Sequence, residues 1–153
     1  MLAALALGLV AGCSAADASG KGDKAATVRS VTAYDEALEP LKKRSDVLED
    51  RFAEVQAEGY SGPLTVREAL AEIIPEFATL LEETRAIEVE GPELEEAHDV
   101  LLASLERQQD GLELAVSALD EDNAALMAEA GTALKEAQRL LEEHRDLLAR
   151  ARA

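Results

Sequence analysis

The chain has no tryptophan, two phenylalanines, two tyrosines and one cysteine in 153 residues. So few aromatics argue against a sheet sandwich, whose strands draw on aromatic and β-branched side chains. A single thiol excludes an intrachain disulfide, so stability has to come from packing. Positive charge is also scarce: 15 Lys and Arg stand against 32 Asp and Glu, a net charge of −17. That balance disfavours nucleic acid and anionic lipid headgroups as direct partners. No apolar run reaches the roughly 20 residues that a spanning helix needs. There is no Gly-rich phosphate loop, nucleophile elbow, ordered Ser, His and Asp set or EF-hand spacing. The sequence therefore predicts no catalytic residue and no cofactor.

The apolar stretch Leu2-Ala3-Ala4-Leu5-Ala6-Leu7-Gly8-Leu9-Val10-Ala11 has the length of a signal-peptide core and ends in Val10-Ala11-Gly12-Cys13. This pattern resembles the lipobox of bacterial lipoprotein precursors. It departs from the usual leader in having its first positive side chain only at Lys21. The resemblance implies that residues 1–12 are a signal peptide and that Cys13 carries diacylglycerol. The mature chain would then be held by lipid at the cell membrane or outer membrane, outside the cytoplasm. Two or more acyl chains anchor stably where one does not. Ser14 in place of Asp resembles the outer-membrane address of double-membraned bacteria. Residues 13–26 hold small and polar side chains without apolar periodicity, which reads as a lipidated cysteine followed by a flexible linker.

Residues 27–153 read as one helical domain, dominated by Ala, Leu and Glu. Apolar residues recur at spacings of three and four in four segments, near 27–58, 65–88, 92–119 and 122–151. The first stripe is Val31, Tyr34, Leu38, Leu41, Ser45, Leu48, Phe52 and Val55, running to Gly59 with a kink expected at Pro40. Thr65-Val66-Arg67-Glu68 reads as a capping box opening the second. Its stripe is Val66, Leu70, Ile73, Phe77, Leu80, Leu81, Thr84 and Ile87. Gly91-Pro92 separates it from the third stripe, Leu94, Ala97, Leu101, Leu105, Gln108, Leu112, Val116 and Leu119. After a turn at Asp120-Glu121-Asp122-Asn123 comes the fourth, Leu126, Ala130, Ala133, Ala137, Leu140, His144, Leu148 and Ala151. Gly111 and Gly131 each weaken their helices by roughly 1 kcal/mol. Short connections predict an all-α, antiparallel, up-down-up-down four-helix bundle, with a dimerising coiled coil as the alternative.

The two histidines both fall near the core phase, His144 within about 20° of its stripe centre and His98 within about 35° at 100° per residue. They lie equally far from the turn at Glu121, so a tight hairpin places them in one layer, close to Tyr34 and Thr84. Glu95-Glu96-Ala97-His98 contains the Glu-x-x-His spacing of di-iron bundles, but the position matching the glutamate before His144 is Leu141. A smaller metal site from His98, His144 and Glu95 is one functional expectation. The leading expectation is a non-enzymatic interaction or structural module of the cell envelope, joined to the membrane by its lipid and to an envelope protein partner of basic character. A ligand-binding sensor is a third. The oligomeric state is left open by the sequence.

Overall fold

The computed structural model describes residues 28–57 and 62–153. Four helices follow in order: α1 (Val31–Ala57), α2 (Pro63–Arg85), α3 (Pro92–Asp120) and α4 (Ala124–Ala151). They form an all-α four-helix bundle with α1 packed on α2, α2 on α3, and α3 on α4 most closely of all. Among the described residues no helix is long and apolar enough to cross a membrane. The expected signal peptide, lipidation at Cys13, linker and helix stop at Gly59 lie outside the described residues, as do the side chains of Phe52 and Val55.

The stripes become the core. Tyr34, Leu38, Leu41, Ser45 and Leu48 of α1 are buried, as are Val66, Leu70, Ile73, Phe77, Leu80, Leu81 and Thr84 of α2. Both internal prolines are accommodated within continuous helices. Pro40 and Pro75 are exposed, so the carbonyls they leave without an amide partner face solvent.

Several helix boundaries differ from the sequence reading. The first helix starts at Val31, not residue 27, because Val28 is extended and pairs in parallel with Val89. The Val28 amide donates to the Glu88 carbonyl at 2.8 Å and the Glu90 amide donates to the Val28 carbonyl at 2.8 Å. Arg29 grips Glu90 beside this clasp at 2.7 and 3.2 Å. Ser30 then caps α1, its hydroxyl accepting from the Ala33 amide at 3.2 Å. The same clasp ends α2 at Arg85, because residues 88–90 are already committed to Val28.

The capping box at Thr65 is not used. Pro63 occupies the first turn of α2, where its missing amide is no loss, and Gly62 is the N-cap. Gly91 plays the same part before Pro92 of α3. Its φ of 110° is a conformation open to glycine and strained for L side chains. The predicted turn between α3 and α4 is present: the Asn123 side chain accepts from the Ala125 and Leu126 amides, capping α4.

The α3–α4 hairpin follows a seven-residue rule that the hydrophobic stripes do not display. Ala97, Ser104, Gly111 and Ala118 of α3 are all buried; the first three each meet a backbone or ring group of α4, and Ala118 bonds into the turn. The His144 ring bonds the Ala97 carbonyl at 2.8 Å, and the Ser104 hydroxyl donates to the Ala137 carbonyl at 2.7 Å. A Cβ on Gly111 would lie 3.2 Å from the Ala130 carbonyl oxygen. The Asn123 amide donates to the Ala118 carbonyl at 2.9 Å. Seven residues along α3 are thus matched by seven back along α4, which holds one register from the turn to the histidines. Small residues at every step let the two backbones approach.

Gly131, by contrast, faces open space, with nothing within 4 Å of a Cβ placed there. Gly131→Ala is expected to stabilise the fold by about 0.5–1 kcal/mol, since alanine restricts the unfolded chain and favours helix. Thermal unfolding should shift upward by a few degrees, and a midpoint equal to or below that of the parent would contradict the helical account of this position.

Candidate functional site

The chemistry-bearing residues of the core gather at the end of the bundle where α1 begins and α4 ends. Tyr34 is completely buried and lies edge-on to both imidazoles, with ring centroids 5.7 Å from His98 and 6.1 Å from His144. Its hydroxyl is 3.0 Å from His98 Nδ1. On the other ring, His144 Nδ1 is 2.8 Å from the Ala97 carbonyl oxygen. The expected layer of two histidines and Tyr34 is therefore assembled. Thr84 turns to its own helix instead, donating to the Leu80 carbonyl at 2.8 Å.

These bonds fix proton positions. A carbonyl only accepts, so His144 carries its proton on Nδ1 and leaves a lone pair on Nε2. Among the described residues Tyr34 has no other partner for its hydroxyl proton, and a buried hydroxyl whose proton finds no acceptor is disfavoured by about 1–3 kcal/mol. Tyr34 accordingly donates to His98 Nδ1, which places the His98 proton on Nε2. The two rings thus present opposite tautomers: His98 offers an N–H where metal ligation needs a lone pair.

Glu95, the third expected ligand, does not converge on the rings. It is exposed, and its carboxylate accepts from the Gly91 amide at 3.2 Å, closing the first turn of α3. A carboxylate at a helix start is drawn to the unpaired amides and the positive end of the helix dipole, so local capping takes Glu95 away from the core. Among the described residues no group of three or more His, Cys, Asp or Glu side chains is assembled to hold a metal ion. The Glu-x-x-His spacing here marks a helix start.

Burial pushes the titration of His98 downward, only partly opposed by Asp99. Burial also lowers His144, reinforced by Lys42, His98 and Arg145 and opposed by its bond to Ala97. A folded-state value below the unfolded one means that the unfolded chain binds more protons. This contribution to stability is present above the ordinary histidine value of about 6.5 and is lost as pH falls through the lowered folded values. NMR titration should place both imidazole midpoints below the ordinary value. Over the same acid range the wild-type chain should lose stability relative to His144→Gln, whose neutral amide retains a donor for Ala97. Midpoints at or above the ordinary value would contradict the buried, neutral pair. For Tyr34, burial and nearby Asp35 raise the phenol, so it stays a protonated donor across this range.

The surface was the other candidate. Several arginines each hold two carboxylates: Arg51 bonds Glu76 at 2.7 Å and Glu72 at 3.2 Å, and Arg139 bonds Glu136 at 2.8 Å and Glu143 at 2.9 Å. Arg85 likewise bridges Glu82 and Glu106. Arg67 joins α2 to Asp120 at the end of α3, and its hydrogen bonds hold that carboxyl below the usual range. Among the described cations only Lys135, Arg145 and Arg150 lack an ion-pair partner (compare the ion pairs at Arg29, Lys42, Lys43, Arg44, Arg107 and Arg152). Positive charge is largely neutralised within the fold, and the surplus carboxylates face outward.

No protein family, curated protein or solved structure matches this chain. Its functional reading rests on its own residues.

Proposed function

We propose that this chain is a non-enzymatic module of a bacterial cell envelope, held outside the cytoplasm by lipid on Cys13, which presents an acidic helical surface to a basic protein partner. The observation that carries the reading is the surplus of exposed carboxylate. The net charge is −17, and most described cations are already paired, so the field outside the bundle is negative. A surface of one sign steers a partner of opposite charge and raises its association rate in a salt-dependent way. Glu93, Glu96 and Asp99 are exposed along the first turns of α3, beside the clasp that receives the chain from its linker.

Two measurements test separate parts of this reading. Mass spectrometry of the membrane-fraction protein is expected to show a chain beginning at Cys13 with lipid attached; an unmodified Cys13 or a retained Met1 would remove the anchor. Crosslinking in cells is expected to recover an envelope protein with a basic surface, and replacing Glu93, Glu96 and Asp99 by lysine should weaken that link. Recovery unaffected by the charge reversal would defeat the acidic-surface account while leaving the anchor intact.

A further inference from the structure

The second half of α1 holds two buried oxygens that bond to nothing. Ser45 is 1% exposed, in the core stripe between Leu41 and Leu48, and its hydroxyl has no hydrogen-bond partner. One turn later Glu49 is half-buried, and its Oε1 is likewise buried and unpartnered. Residues four apart on a helix meet on one face. A buried polar atom without a partner is uncommon in native proteins and calls for a physical reason.

The flank on which Glu49 lies supplies that reason. Asp35, Lys42 and Glu49 recur every seven residues along α1, on the side turned toward α4. Asp35 pairs with Arg152 of α4 and with Lys42, and Lys42 acts on His144 of α4. Among the described residues no cation pairs with Glu49. Its neighbours on α1 are Asp46 and Asp50, both of like charge. Toward α2, Arg51 is held by Glu72 and Glu76, and Arg44 by Glu83. On α4, Glu136 is held by Arg139, and Lys135 is exposed and forms no ion pair. The α1 and α4 backbones also approach closely at few points, whereas α3 and α4 are locked along their length.

We propose that Ser45 and Glu49 form a proton-operated latch on α1. The two oxygens do not bond each other in this structure; with Glu49 neutral, a turn of its side chain brings the O–H to the Ser45 hydroxyl and the second half of α1 stays docked. With Glu49 ionised, a partly buried carboxylate without a counter-ion draws that half of the helix toward water. The direction of its titration agrees: burial, then Asp46 and Asp50, push the Glu49 carboxyl up to about 7. A folded value above the unfolded one means that this contribution is fully present below the ordinary carboxyl range and is lost as pH rises through about 7.

Hydrogen exchange of the purified full-length chain at pH 6 and 8.5, corrected for intrinsic rates, tests the latch. Peptides covering residues 41–57 should open more at the higher pH, by up to about tenfold for a carboxyl shifted this far, while α3, which holds His98, shows no such increase. Glu49→Gln, neutral at both pH values and still a donor, should abolish the difference. Ser45→Ala should reduce protection at pH 6 and narrow the gap. Equal opening of the wild-type chain at both pH values would overturn the proposal, as would an undiminished pH dependence in Glu49→Gln. A wild-type profile in Ser45→Ala would overturn the role given to the hydroxyl.

Discussion

Tyr34→Ala is expected to lower the unfolding free energy by about 4 kcal/mol, in the range for truncating a large buried aromatic. Tyr34 heads the fully buried side chains and touches both imidazoles. Its removal opens a cavity where α1, α3 and α4 meet and takes the donor from His98. A loss of that size is a large part of the roughly 5–15 kcal/mol that holds a typical domain folded. Tyr34→Phe separates the two effects. It keeps the ring and deletes the hydroxyl, so a cost of about 1–2 kcal/mol is expected from the orphaned His98 nitrogen alone. Denaturant titration with an unchanged m-value is the measurement. A cost under about 1 kcal/mol for Tyr34→Ala would show that this layer is not the packing centre described above.

Gly111→Leu carries the second large effect, about 3 kcal/mol of destabilisation. A Cβ at this position would sit 2.7 Å from both Cγ and Cδ2 of Leu134 and 3.2 Å from the Ala130 carbonyl oxygen. Leu134 is only partly buried and has some room to rotate, but the Ala130 carbonyl belongs to the α4 backbone and yields only if the helices separate. Separation would strain the bonds from Ser104 to Ala137 and from His144 to Ala97. Overpacking of this kind commonly costs about 1–3 kcal/mol and sometimes more, against a gain in helix propensity of under 1 kcal/mol. Gly131→Leu, in open surroundings on the same hairpin, should have no such penalty. Equal stabilities of the two leucine variants in chemical denaturation would refute the close approach at Gly111.

The candidate site was legible in part. Histidines equidistant from a turn have to meet if the hairpin is tight, and His98 and His144 do meet through Tyr34. The part played by Glu95 was not legible, because its spacing to His98 fits two roles, a metal ligand and a helix-start cap. The two are separated only by which way the side chain turns at Gly91. The Thr65–Glu68 box failed for a related reason: a capping pattern competes with any upstream residue that opens the helix, and Pro63 does so at no cost in backbone bonds. Glu49 was missed altogether. Nothing in a run such as Asp46-Val47-Leu48-Glu49-Asp50 says which carboxylate faces a neighbour without a cation to meet it.

The sequence by itself determined the all-α class, the four helices of the described residues, the turn at Asp120–Asn123 and most of the core. These follow from local periodicity, and a stripe repeating every three or four residues has one stable way to be buried. Only the tertiary structure decided the rest. Gly111 and Gly131 look alike in the chain, yet one lies under the α4 backbone and the other faces open space, because a glycine's worth depends on what stands opposite it. The start of α1 was likewise set by a distant loop, where Val28 pairs with Val89. A backbone that finds partners across the fold leaves the helix its local propensity would have extended.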